Sequence, residues 1–270
     1  MRRFLYIFLI SAICTSCIPS HPQHKIAEHN ETQKGSEFTS TRDYTGKIQV
    51  TDSQLYHDTE LIKYKGYTVS YNKKHKIPNW VYYELLASET EGPYSRNGKD
   101  FRQDTSAKVP QANDNDYKRS GWSRGHMAPA GDFKWSEDAM WDTFYYTNCC
   151  PQNLRLNQGQ WETLEEKARG WARSFGRVII ITGPIIGNNI NGTIGQNQIV
   201  IPDAFFKAVR TDKQAIAFIM FNHNNNANLQ KCAMSIDDLE KIIGIDLFSD
   251  LEDNLERIIE SSYSLKYWKF

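Results

Sequence analysis

Strand-like runs stand at both ends of this sequence with helical segments between them, and that layout restricts the fold more than any other feature. Residues 66–71 and 80–86 are rich in aromatic and β-branched side chains, with Pro78 and Asn79 between them, and read as paired strands. Residues 177–182, 198–200, 205–210 and 215–222 supply further strands, while residues 137–144, 157–175 and 236–243 read as helices. Ser136 is a natural N-cap for the first helix, with acids in the turn that follows. This order predicts an α+β domain on a central antiparallel β-sheet flanked by helices. Residues 88–121 are polar with few apolar positions, and a loop of that length inside a compact domain usually carries function.

The extreme N-terminus reads differently. Arg2 and Arg3 precede ten mostly apolar residues, 4–13, and then small and polar ones, the layout of an export signal that is short for a membrane span. Ser16-Cys17 looks like a loose lipobox in which Cys17 becomes an acylated N-terminus, a membrane contact through lipid alone; Cys14 three residues earlier leaves plain cleavage as the alternative. The expected organisation is therefore a signal over residues 1–17, a flexible tether over 18–45, and a globular domain over 46–270. The expected location is exported: bacterial periplasm, outer-membrane lipoprotein, or secreted.

Lys plus Arg and Asp plus Glu both number 32, so the chain has no net charge and carries no polybasic coat. The neutrality is local bookkeeping. Residues 96–134 hold eight bases against five acids, and residues 235–270 hold four against nine. A patch of that kind can steer a polyanion to one face. Of the cysteines beyond the leader, Cys149 and Cys150 are adjacent, a poor spacing for zinc. Buried free thiols are the expectation, with a Cys232 pairing to one of them as the alternative.

Chemistry concentrates in Ser123-Arg124-Gly125-His126-Met127-Ala128-Pro129, directly after the polar stretch. His126 suits proton transfer near neutral pH. Arg124, two residues away, shares its side of an extended strand and can clamp a phosphate. A hydrogen-bonded structural histidine is the plainer reading of this tripeptide alone. A second group lies in Asn148, Asn157 and Glu165. At about 100° per residue, Asn157, Trp161 and Leu164 share one helix face with Glu165 at its rim. Asn157 also reads as an ordinary N-cap with Gln160 completing a capping box, although its amide oxygen is a hard ligand that Mg²⁺ accepts.

Several ordered motifs, together spanning roughly residues 60–250, resemble the DNA/RNA non-specific endonucleases of the ββα-metal superfamily, the group to which mitochondrial endonuclease G belongs. They are Asp100-Phe101-Arg102-Gln103-Asp104, the Ser123–Pro129 block, Asn157-Gln158-Gly159-Gln160-Trp161 with Leu164-Glu165, Ile201-Pro202-Asp203-Ala204-Phe205-Phe206-Lys207, and Ser235-Ile236-Asp237-Asp238-Leu239-Glu240. The resemblance implies a ββα-metal catalytic motif in which His126 is the general base and Asn157 the one side chain on the metal. Arg124 would support the phosphate, Asn148 orient the histidine, and Glu165 orient the metal's waters. Lys99 or Arg102 would be the basic substrate contact upstream. Implied too are a Mg²⁺ cofactor with Mn²⁺ as substitute, DNA and RNA as substrates, and a homodimer, since relatives in the family often dimerise. The family motif usually begins with Asp, where this chain has Ser123. Because His126 must be neutral to accept a proton, activity is expected to fall below about pH 6.5, the reference imidazole value. The competing readings are a silent nucleic-acid-binding surface lipoprotein and a phosphodiesterase for small nucleotides.

Overall fold

The computed structural model describes residues 58–187, 192–223 and 228–270. The leader, Cys17 and the 18–45 tether lie outside the described residues. In chain order the strands and helices begin with β1 (Thr59–Lys63), β2 (Thr68–Asn72), β3 (Ile77–Leu86) and α1 (Asp114–Tyr117). There follow β4 (Ser123–His126), α2 (Glu137–Asp142), β5 (Cys149–Gln152), α3 (Leu154–Leu156) and α4 (Glu162–Phe175). The rest are β6 (Arg177–Ile185), β7 (Thr193–Ile194), β8 (Ile199–Val200), β9 (Ala204–Arg210), β10 (Ala215–Phe221), β11 (Ala233–Met234), α5 (Ile236–Ile243) and α6 (Asp253–Glu260).

Seven strands form the central sheet in the order β1-β2-β3-β6-β9-β10-β11, with every neighbouring pair antiparallel. β9 and β10 are buried at every position, because helices cover both faces of the sheet. Val178, Ile180, Val209, Ile216 and Phe218 pack toward α4, whose Leu164, Ala168, Trp171 and Ala172 form one apolar stripe. Ile179, Ile181, Phe206, Ala217 and Ile219 point the other way, against Leu239 and Ile243 of α5 and Ile259 of α6. Burial from both sides is why these strands read as continuous apolar runs rather than alternating ones. Each fully buried Leu or Ile in these layers contributes about 1.5–3 kcal/mol of transfer free energy. The architecture is the α+β one that the element order predicts.

Two local expectations need correction. Pro78 and Asn79 lie inside β3, not in the turn, which falls at residues 73–76. The strand tolerates a residue without an N–H because the β2–β3 register shifts between Ser70 and Tyr71 at this point. The polar stretch also contains α1, started by Asn113, whose side chain accepts from Asn115 N while Asp116 returns the bond to the cap. Cys149, Cys150 and Cys232 are free and buried.

Candidate active site

β4 and β5 form a separate two-stranded antiparallel ribbon, with Ser123 opposite Gln152 and His126 opposite Cys149. The chain then turns into α3 and α4, so strand, strand and helix make the ββα unit. Gly125 is required in this ribbon, because a β-carbon there would collide with the Gln152 side chain. The helix begins earlier than its sequence suggests. Asn153 is the N-cap, accepting from Arg155 N and Leu156 N at 3.0 and 3.4 Å. Asn157 is therefore not a cap. It opens a π-helical turn, Asn157–Trp161, in which Gly159 leaves helical geometry at φ −128° and ψ −109°. This irregular turn breaks the regular spacing of about 100° per residue between Asn157 and Trp161.

Freed from capping, the Asn157 amide donates from Nδ2 to Ser123 Oγ at 3.2 Å. Ser123 Oγ donates in turn to the Gln152 carbonyl at 2.7 Å. This relay commits Nδ2 of the amide and leaves Oδ1 as its acceptor end. Serine suits the relay because a hydroxyl both gives and receives; an Asp carboxylate could only accept.

His126 sits at the end of β4, only 9% exposed, between Phe101 (ring centroids 4.6 Å) and Phe144 (5.1 Å, edge-on). Its Nε2 is buried and has no hydrogen-bond partner in the protein. A buried ring nitrogen without a partner is costly unless something else fills the place. Burial, with the positive charge of Arg96 adding to it, pushes the imidazole pKa down to about 3. The ring is therefore neutral, the form a general base needs.

Arg124 is held by Tyr146, to which Nε donates at 3.0 Å, and by Asp114, to which Nη2 donates at 2.9 Å. Tyr146 Oη closes the triangle by donating to the same carboxylate oxygen at 2.7 Å. The guanidinium also lies over the Tyr117 ring at 5.3 Å. Asn148 is fully buried, and its amide does not reach the imidazole. Its Oδ1 accepts from Ala128 N, and its Nδ2 donates to the carbonyls of Ala128 and Thr143, each at 2.9 Å. It thus fixes the backbone that leaves His126.

Glu165 is half-buried in α4, opposite Lys207 of β9. Burial raises its pKa to about 8, the Lys207 charge opposing this and Asp132 reinforcing it. Lys207 is completely buried, lies 4.8 Å from the Trp161 ring centre, and has no hydrogen-bond partner; burial lowers its pKa. Asp132 accepts from Arg169 Nη1 at 2.8 Å and from Tyr83 Oη at 2.9 Å. Sequence reasoning missed this buried network. Its only signal is a lysine at a core position of an otherwise apolar strand.

The basic contacts separate. Lys99 and Arg102 both lie on the Trp141 ring, at 4.6 and 4.4 Å, and Arg102 also covers Tyr145 at 4.8 Å. Lys99 is largely covered and faces Glu137 at 3.8 Å, whereas Arg102 remains exposed. Arg96, which the sequence does not single out, is the cation that acts on His126.

The donor that this ribbon offers a metal is a hard oxygen, Asn157 Oδ1, while Glu165 faces Lys207, Asp132 and Arg169. Among the described residues, no group of three His, Cys, Asp or Glu side chains converges at this site. So sparse a set fits Mg²⁺, which keeps several waters and takes one or two protein ligands.

Known proteins resemble this chain in sequence and fold. A family profile described as DNA/RNA non-specific endonuclease matches residues 27–254. The mitochondrial nuclease EXOG of Danio rerio is 34% identical over 250 residues, covering 83% of this chain and 69% of its own length. Mitochondrial endonuclease G of Homo sapiens is 34% identical over 160 residues, 56% of this chain and 54% of that protein. The mitochondrial nuclease of Saccharomyces cerevisiae is 31% identical over 218 residues, 70% and 65%. The chain thus spans between about half and two thirds of the length of these relatives. A crystal structure of the EndoG/EndoGI complex, concerned with EndoG inhibition, superposes with a TM-score of 0.66 at 25% identity, covering 72% of this chain and 88% of that one. These names overturn the expectation of a periplasmic, outer-membrane or secreted protein, since EXOG, endonuclease G and the yeast nuclease are mitochondrial. An arginine pair before a short apolar run is too simple a pattern to distinguish targeting routes by itself. The profile match over most of the sequence, the relatives and the shared fold show that this chain belongs to the DNA/RNA non-specific endonuclease family, as a metal-dependent nuclease of the ββα-metal type.

Proposed function

We propose that this chain hydrolyses phosphodiester bonds in both DNA and RNA with Mg²⁺, Mn²⁺ serving as a substitute, and that His126 is its general base. One observation carries the reading: a neutral, buried imidazole with an unpartnered Nε2 lies on the same short strand as Arg124 and Ser123, and Ser123 holds Asn157. The names of the relatives favour a mitochondrial setting.

The residues divide the work. His126 accepts a proton from the attacking water at Nε2, the atom left without a protein partner. Arg124, pre-positioned by Tyr146 and Asp114, binds the phosphate through guanidinium donors those bonds do not use. Asn157 Oδ1 would hold Mg²⁺, with Glu165 placed to orient water beside it. The bound ion would neutralise charge on the phosphoryl oxygens and on the leaving oxygen. Arg102 on Trp141 offers charge and an aromatic face to the flanking strand. Contacts limited to phosphate and sugar carry no sequence information, which agrees with non-specific cleavage.

Ser123→Ala removes the bond that orients Asn157 while leaving every reacting group in place. Loss of such a supporting hydrogen bond typically weakens metal binding by roughly 10–100-fold. The concentration of Mg²⁺ giving half-maximal cleavage should rise by about that factor, with the rate at saturating metal little changed. An unaltered Mg²⁺ requirement would remove Ser123 from the relay.

The pH dependence follows from the depressed imidazole. With His126 at about 3, kcat/KM should not fall at pH 6.5, and the acid limb should move well below it. This corrects the limb expected from the reference value. Stability already declines over the range where the rate holds. The unfolded chain takes up the imidazole proton near pH 6.5 and the folded one only near 3, so this group weakens the fold progressively as pH drops between those values. The rate profile should therefore be read only where circular dichroism is unchanged. A limb centred at pH 6.5 with the fold intact would contradict the buried, neutral ring.

A further inference from the structure

On the face of the sheet opposite α4, the acidic C-terminal part of the chain brings three carboxylates together. Asp237 and Glu240 of α5 and Glu260 at the end of α6 each offer an oxygen, and these oxygens lie within 4.8 Å of one another. Two metal–oxygen bonds of the length calcium uses span at most about 5 Å, so this spacing suits one shared ion. Crowded acids on a surface mean little alone. Here, however, Glu260 is only 3% exposed, and its Oε1 is buried with no hydrogen-bond partner while its carboxylate faces the other two. An unpaired carboxylate in that position needs either a proton or a cation.

The neighbouring charges sharpen the requirement. Burial raises the Glu240 pKa to about 7, with Asp246, Asp237 and Glu256 adding to the effect. Burial raises Glu260 to about 8, with Glu240, Glu256, Asp237 and Asp246 adding. No base stands among these influences. Lys241 is bound to Asp238 at 3.2 Å, and Arg257 donates to Asn254 at 3.4 Å. Glu240 is already tied to the following loop, accepting from Leu247 N at 2.7 Å. Any ion held here would join α5, that loop and α6.

We propose that Asp237, Glu240 and Glu260 form a second divalent-cation site, of the calcium class and separate from the catalytic one, which fastens the last helix to the sheet. Calcium is favoured because several protein carboxylates from two helices form a flexible, oxygen-rich shell, whereas Mg²⁺ retains its water and demands a near-ideal octahedron.

The test uses full-length protein carrying Asn157→Ala, so that the weakened catalytic site contributes little to the signal. Metal-free protein is titrated with CaCl₂, and with MgCl₂ in parallel, by calorimetry and thermal unfolding. The expected result is one Ca²⁺ per chain and a Tm rise of about 5–10 °C at about 100 times Kd, with a smaller response to Mg²⁺. Adding Glu260→Gln, or independently Glu240→Gln, should abolish the calcium response. Glu260→Gln should also leave the metal-free Tm equal or higher, since it relieves repulsion without changing shape. Absence of calcium binding in Asn157→Ala, or binding that survives both Gln substitutions, would overturn the site. Cleavage is not the readout, so the outcome is independent of the nuclease mechanism.

Discussion

His126→Ala should lower kcat/KM for plasmid cleavage by roughly 10²–10⁴-fold, the usual worth of a positioned general base. The imidazole makes no hydrogen bond through Nε2, so its removal forfeits none there; what is lost structurally is ring packing between Phe101 and Phe144. That packing loss should lower Tm by a few degrees without preventing folding. His126→Gln provides the control, because it restores volume but not a base. It should fold with closer to native stability and remain as inactive as the alanine variant. Recovery of activity with glutamine would mean that the histidine only fills space.

Asn157→Ala carries the second large effect. Asn157 is the proposed metal ligand, with its Nδ2 committed to Ser123 and its Oδ1 left for an ion. Transition-state charge stabilisation by a metal is worth several kcal/mol, so its loss corresponds to about 10²–10³-fold in rate. At moderate Mg²⁺ the variant should fall by that factor, and raising Mg²⁺ should recover only part of it. Asn153 caps the helix instead, so Asn157→Ala should not cost the helix its start. Helical content by circular dichroism should be unchanged. A variant that loses helix together with activity would show that the asparagine serves the fold.

The elements legible in the sequence were those whose side chains report their own environment. Residues 177–182 and 215–222 are apolar at nearly every position because helices cover both faces of β6 and β10, and their shortness and β-branched content mark them as strands. The Ser123–Pro129 block is weak evidence alone and becomes legible as chemistry through its place among the other ordered motifs, Asn157–Trp161 with Glu165 above all. What escaped depends on contacts distant in sequence. Asn157 looks like a cap until Asn153 takes that role and the π turn at Gly159 changes the angle. Lys207 lies 42 positions after Glu165, yet the sheet brings them together, and no periodicity encodes a buried cation facing a carboxylate. Asn148, expected to act on the imidazole, instead grips the backbone of Ala128 from the turn just before β5. Arg96 was passed over because nothing in its neighbourhood marks it until Phe144 and His126 fold beside it.

The most direct measurement incubates supercoiled plasmid and a structured RNA with the purified full chain, in Mg²⁺, in Mn²⁺ and in EDTA, beside His126→Ala. The account predicts nicking and then degradation of the plasmid, and degradation of the RNA, in either metal, with both stopped by EDTA and by the substitution. Nucleic acid bound but intact in Mg²⁺ would mark a silent binding protein, and a circular plasmid spared while small phosphodiesters are cleaved would mark a nucleotide phosphodiesterase. Cleavage that persists in EDTA or in His126→Ala would contradict the mechanism outright.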